Sequence, residues 1–343
     1  MNVIRYLSDE GTPLQALPFS HDDLLRGYRE LRRARFWDER AEVLQRQGKL
    51  SVYPPYRGQE AAQVGMMLAF NEDDWLVPSY RESAAALTHG LPLETLILYW
   101  RAHPAGWRFP DDVNILPFYI PIATQLPQAV GLAHGLTLQG EGRVVATFVG
   151  DGGTSEGDFH EALNFASVYS APVVFMVQNN GWAISVPTTK QMKTKQIASR
   201  AAGYEMPGVS VDGNDLVAVW SAAREAVARS RAGGGPTLIE AMTYRMAPHT
   251  TSDDPSRYRT EDEASAWIGR DPVRRMQTAL NHLGLWDEGD EARLVETLKC
   301  EVDEAVQAAD ATPDPEPREI VEHVFETMTP DQQRAWEVLR DGA

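Results

Sequence analysis

"RVVATFVGDGGTSEGDFHEALNFASVYSAPVVFMVQNNGW", residues 143–182, is the stretch on which the fold turns. Its flanks, "RVVATFVG" (143–150) and "APVVFMVQN" (171–179), are short, nearly unbroken apolar runs of β-forming residues, as in strands buried on both faces of a parallel sheet. Between them "GDFHEALNFASVYS" has the spacing of an amphipathic helix. Further on, the helix "LVAVWSAAREAVARSRAGGG" ends at glycines and leads to a strand in "PTLIEAMTYRM" (236–246). This βαβαβ order predicts an α/β protein with an open, doubly wound, mostly parallel central sheet, right-handed crossovers and helices on both faces.

Adjacent parallel strands end side by side, and ligands of open α/β sheets sit outside their carboxyl ends. Asp151 follows the first strand and Asn180 the second, 29 residues later, which suits one βαβ unit. A carboxylate and an amide oxygen meeting there suit a hard cation such as Mg²⁺, which completes its octahedron with phosphate oxygens and water. Gly150, Gly152 and Gly153 allow close approach of backbone to a phosphate, and amides at the start of the next helix favour anions. A diphosphate bridged by Mg²⁺ fits; Asp151 as a simple turn cap is the plainer alternative. The nicotinamide fingerprint fails at Ser155, where it needs glycine, and the chain has no G-K-[ST] loop and no H-E-x-x-H.

Outward from this centre, residues 1–20 are expected to form an irregular arm and residues 21–343 a single large α/β domain, helical from about residue 260. "SHDDLLRGYRELRRARFWDERAEVLQRQGKL" predicts a long, capped helix, and residues 58–107 alternate short helical patterns with loops. The tail has helical, acidic segments interrupted by "TPDPEP". With 32 basic against 49 acidic residues, the net charge of −17 argues against nucleic acid or an anionic membrane as partner. A lone cysteine, Cys300, excludes an internal disulfide framework, and no apolar run or leader pattern suggests a membrane span or signal peptide; we expect a cytoplasmic protein.

"GDGGTSEGDFHEALNFAS" and "NNGWAIS" together resemble the thiamine diphosphate enzymes, and more narrowly the alpha subunit of the decarboxylating component of 2-oxo acid dehydrogenase complexes. The resemblance runs from about residue 20 to the C-terminus. It implies a thiamine diphosphate-binding fold, with Asp151, Asn180 and the backbone carbonyl of Trp182 as Mg²⁺ ligands and Ser185 near the cofactor. "PSYRESAAAL" is similar to the family segment whose tyrosine and arginine, here Tyr80 and Arg81, contact the cofactor. A guanidinium pairs with phosphate oxygens in a fork, although an arginine at a helix start is also an ordinary surface residue. In "YRMAPHTTSDDPSRYR" (244–259) the resemblance implies that His249 contacts the diphosphate or the reacting intermediate, making it the catalytic candidate.

"IPIATQLPQAVGLAHG" (120–135) resembles the family helix that starts beside the cofactor, with Ile122 as an aminopyrimidine-side contact and Thr124 and Gln125 as a K⁺ site in some members. Pro127, Gly131 and Gly135 leave one face nearly flat, for a symmetry mate's helix or for packing within the subunit. Two positions depart from the family: Gln178 replaces an arginine beside the asparagine pair, and Thr250 stands where some members carry a regulatory phosphoserine.

The resemblance implies oxidative decarboxylation of a 2-oxo acid, with the acyl group passed to the lipoyl group of a dihydrolipoyl acyltransferase. The family glutamate that activates the cofactor belongs to a second domain, and only one sheet pattern appears here, so a beta subunit and an α₂β₂ tetramer are expected. "TTSDD" and "PIATQLPQAVG" look most like branched-chain members, with Tyr53, Tyr56 and Ile122 lining an apolar substrate pocket, though the tyrosines equally suit a core. A pyruvate or acetoin dehydrogenase alpha subunit, a transketolase-like enzyme and a non-catalytic cofactor-binding subunit are the alternatives.

Overall fold

Both apolar runs of the 143–182 stretch are central strands of a six-stranded parallel sheet. The computed structural model describes residues 2–322 and 324–342. In chain order its first half comprises β1 (Val3–Ile4), α1 (His21–Arg46), α2 (Glu60–Met67), β2 (Trp75–Val77), α3 (Ser83–Thr88), α4 (Leu93–Trp100), α5 (Gln125–Leu138), β3 (Val145–Gly150) and α6 (Gly157–Val168). Then come β4 (Val173–Asn179), β5 (Trp182–Ala183), β6 (Val186–Pro187), α7 (Thr188–Gln191), β7 (Gly208–Asp212), α8 (Leu216–Arg229) and β8 (Thr237–Met242). The tail holds α9 (Glu261–Ile268), α10 (Pro272–His282), α11 (Glu288–Ala311), α12 (Glu319–Glu322) and α13 (Pro330–Gly342).

The sheet order is β1-β7-β8-β4-β3-β2, and β5 and β6 form a separate antiparallel hairpin. Successive side chains of a strand point to opposite faces, so each central strand feeds two cores. Ala146 and Phe148 of β3, with Val174 and Met176 of β4, join the core beneath α1, α2 and α8. Val145, Val149, Val173, Phe175 and Val177 join the core beneath α5 and α6. This division between two helical layers is why the runs read as continuously apolar. Gly150, the last residue of β3, pairs in register with Gln178, the last but one of β4, so the residues beyond them share one edge.

The predicted long helix is α1, and the Ser-His-Asp-Asp start is a capping box in which Ser20 Oγ accepts from Asp23 N–H and Asp23 accepts from Ser20 N–H. The helical tail and its break at "TPDPEP" are also present.

Three strands of the six-stranded sheet were not anticipated from the pattern, nor was the β5–β6 hairpin. β1 and β2 have two and three residues, too few to show a period, and β7 "GVSVD" carries a serine in its middle. Ser210 is tolerated there because its hydroxyl donates to the buried Glu240 carboxylate, 3.3 Å away. The amino-terminal arm, irregular apart from β1, is tied to the domain: β1 pairs with β7, Leu7 is fully buried, and the Tyr6 and Leu7 N–H groups both donate to Asp215, each at 2.7 Å. On α5 the flat face does not pack within the subunit, since a Cβ on Gly131 or Gly135 would meet no protein atom.

Candidate active site

The carboxyl edge of the sheet opens on a cavity of about 560 Å³, lined by both ends of the 143–182 stretch. Asp151 leaves β3 into a short 3-10 turn, Gly152–Ser155, ahead of α6, and Asn180 leaves β4 ahead of the β5–β6 hairpin. Asp151 is fully buried; Oδ1 accepts from the Asn180 backbone N–H (3.3 Å) and Oδ2 from the Thr188 hydroxyl (2.9 Å). Burial pushes its carboxyl pKa up, with Thr188, the Asn180 amide and the Arg245 charge pulling it back. Asn180 Oδ1 accepts from Trp182 N–H at 3.1 Å. Asp151 makes no ion pair among the described residues, and hydrogen bonds alone hold it beside Asn180.

The same cavity has a cationic wall. Arg81 and Arg245 are 6% and 1% exposed, and among the described residues neither has a carboxylate partner. Arg81 donates to the carbonyls of Pro55 (2.6 Å) and His249 (3.0 Å), and Arg245 to that of Ile184 (2.8 Å) and to the Tyr258 hydroxyl (3.1 Å). His249 Nδ1 lies 3.1 Å from one guanidinium and 3.4 Å from the other. Burial, then Arg81, then Arg245, push the imidazole pKa down to about 3 against the opposing charge of Asp253. The ring is thus neutral near pH 7, with Nδ1 accepting and the proton on Nε2. Tyr80 meets the His249 ring edge-on, with centroids 6.1 Å apart. Two buried, unpaired guanidinium groups are costly unless an anion joins them. A Cβ on Gly150 would meet no protein atom, leaving open space beside the backbone for such a group.

Tyr80, Arg81, Ile122, Gly150, Asp151, Gly152, Gly153, Asn180, Trp182 and His249 all line this one cavity. Tyr53 and Tyr56 do not. Both are fully buried against α1, where the Tyr53 hydroxyl donates to Asp38 (3.0 Å) and the Tyr56 hydroxyl to the Ala34 carbonyl (2.6 Å). From the same segment it is Val52 and Pro54 that reach the cavity. Ser185 sits exposed in the turn of the β5–β6 hairpin, outside the lining, whereas Ala183 and Ile184 belong to it. Thr124 and Gln125 begin α5 behind the cavity; Gln125 Nε2 donates to the Phe148 carbonyl (2.6 Å), and Oε1 is buried without a partner.

Gln178 donates to Glu82 Oε1 (2.6 Å), a carboxyl that burial lifts to about 7 despite Arg81 beside it. Arg245, Glu82 and Gln59 of the wall went unrecognised in the sequence. Arg245 had a signal, an arginine one helical turn's distance before His249, but an isolated arginine in a loop does not announce that it is buried. No described helix is long and apolar enough to cross a membrane.

At its carboxyl edge a parallel α/β sheet thus sets a buried carboxylate and amide oxygen against two buried guanidinium groups. The chain belongs to the dehydrogenase E1 component family, whose sequence profile matches residues 28–318. It is 42% identical to the 3-methyl-2-oxobutanoate dehydrogenase subunit alpha of Mycobacterium tuberculosis (strain ATCC 25618 / H37Rv), over 99% of this chain and 94% of the relative. It is also 42% identical to the pyruvate dehydrogenase E1 component subunit alpha of Staphylococcus aureus (strain Mu50 / ATCC 700699), over 90% of this chain and 83% of the relative.

Proposed function

We propose that this chain is the alpha subunit of the decarboxylating component of a branched-chain 2-oxo acid dehydrogenase, assembled with a beta subunit as an α₂β₂ tetramer in the cytoplasm. The observation that carries the reading is the pairing, in one cavity, of unpaired Arg81 and Arg245 with the buried Asp151 and Asn180. Asp151, Asn180 and the Trp182 carbonyl would hold Mg²⁺, while Arg81, Arg245 and His249 would take the diphosphate of thiamine diphosphate. When bound, that cofactor supplies the carbanion chemistry that releases CO₂ from a 2-oxo acid.

The protein's own contribution is to bind, orient and exclude water. Arg81 and Arg245 lower the charge cost of bringing a diphosphate below the surface. His249, kept neutral, has its Nε2 proton to donate, and Asp253 fixes its loop by accepting from the His249 N–H at 2.8 Å. Gln125 Oε1, buried without a partner, is a ready ligand for K⁺ together with Thr124. Ile122, with Val52, Pro54, Trp100 and Ile120, gives the cavity an apolar side suited to an isopropyl or isobutyl group. Ile120, Ile122 and Ile184 at its mouth are exposed, which suits closure by the beta subunit. The acyl product would pass to the lipoyl group of a dihydrolipoyl acyltransferase.

Pyruvate is the second reading, since the staphylococcal relative matches at the same identity as the mycobacterial one. Co-expressed alpha and beta chains should release CO₂ from 3-methyl-2-oxobutanoate, with a dye as electron acceptor, faster than from pyruvate. The reverse order moves the assignment to pyruvate. Turnover by the alpha chain alone, or none with any 2-oxo acid, overturns it.

A further inference from the structure

The side-chain amide of Asn180 is oriented by a chain of hydrogen bonds. Trp182 N–H donates to Oδ1 (3.1 Å), which turns Nδ2 the other way, where it donates to Gln59 Oε1 (3.0 Å). Gln59 is the residue before α2, lines the cavity and is 1% exposed. Its place is set by Gly58, whose φ of +95° and close fit, a Cβ there lying 2.3 Å from the Tyr244 carbonyl oxygen, admit no other residue without strain.

Gln59 Nε2 is buried and has no hydrogen-bond partner. A side chain present only for packing gains nothing from an unsatisfied amide, and leucine of similar size would avoid the cost. The side-chain bond that Gln59 does make goes to Asn180.

We propose that Gln59 is a positioning residue for the cation site, holding Asn180 so that Oδ1 rather than Nδ2 faces the ion. The inference rests on the reading of Asp151 and Asn180 as Mg²⁺ ligands given above. An amide nitrogen cannot ligate the cation, and without Gln59 only the Trp182 N–H is left to hold Asn180 in the orientation that offers Oδ1. Coordination at Oδ1 in turn polarises the Nδ2–H that Gln59 accepts, so ion and hydrogen bond strengthen each other.

The test is a Mg²⁺ titration of the assembled alpha–beta protein at fixed thiamine diphosphate, read by calorimetry or by quenching of tryptophan fluorescence. Gln59→Leu should raise the half-saturating Mg²⁺ concentration by ~10–100-fold, the usual effect of losing such a support, while the melting temperature without cofactor stays level or rises. Gln59→Glu, which keeps an acceptor for Asn180, should return the Mg²⁺ requirement most of the way to wild type. Gln59→Asn, an amide one methylene too short, should repeat the leucine result and serves if the leucine variant does not assemble. An unchanged Mg²⁺ requirement in the leucine and asparagine variants, or a glutamate variant as weak as they are, overturns the proposal. If the wild-type protein itself shows no Mg²⁺-dependent cofactor binding, it is the reading of the cation site that fails first.

Discussion

Asp38 gives the most exact handle on the architecture around the cavity. It is fully buried in α1, and its Oδ1 accepts from the Tyr53 hydroxyl and the Tyr56 N–H, both at 3.0 Å, tying the wall segment that carries Val52 and Pro54 to the helix. Its Oδ2 is buried without a partner. Burial first, then the Glu60 charge, lift the carboxyl to about 7, opposed by the Tyr56 N–H and Arg57. In the unfolded chain the same group titrates near ~3.9. Between those values the folded chain holds a proton that the unfolded chain has released, so stability falls as pH rises. The slope is ~1.4 kcal/mol per pH unit, reaching ~4 kcal/mol by pH 8, and the penalty vanishes below about pH 4.

Asp38→Asn removes this titration and keeps the Oδ1 acceptor. The stability gained by the variant over wild type should therefore grow by ~1.4 kcal/mol per unit from about pH 4 to 7 and level off above. Glu82, also lifted to about 7, titrates equally in both proteins and drops out of the difference. Urea unfolding at pH 5, 6, 7 and 8, followed by tryptophan fluorescence, measures it, because Trp37 and Trp100 both pack edge-on against Tyr53. A difference independent of pH, or a variant less stable than wild type at pH 8, refutes the reasoning.

Asp151→Ala should abolish the Mg²⁺-dependent part of thiamine diphosphate binding in calorimetry; persistence of that part rules Asp151 out as a ligand. His249, held to about 3 by burial and the two guanidinium groups, should show no NMR titration between pH 5 and 8, its resonance being assigned by its loss in His249→Gln. Since that value lies below the ordinary histidine range, the contribution of neutral His249 to stability is present above ~6.5 and is lost as pH falls toward 3.

Much of the centre of the fold was legible because burial on both faces leaves an unmistakable trace. Val145–Gly150 and Val173–Asn179 read as central strands, and their neighbouring carboxyl ends put Asp151 beside Asn180. Edge strands leave no such trace: Val3–Ile4 is identified as a strand only by its partner 200-odd residues away. The tyrosines of "YPPYRGQE" show the limit for side chains. They suited a pocket and a core equally, and nothing local decided between the two; Asp38, on α1, does. Arg245 was hidden for the same reason, since a buried guanidinium is defined by the absence of a carboxylate in space rather than by its neighbours in sequence.

The pairing of Ile4 with Val211 has a consequence for biosynthesis. At ~5–20 residues per second the ribosome needs about 10–40 s to make the intervening chain, and throughout that time the first strand has no seat in the sheet. Leu7 and the N–H groups later satisfied by Asp215 stay uncovered on the nascent chain. The edge of the sheet thus closes only after β7 has been made, and until then the amino-terminal segment keeps apolar and polar groups open to wrong contacts.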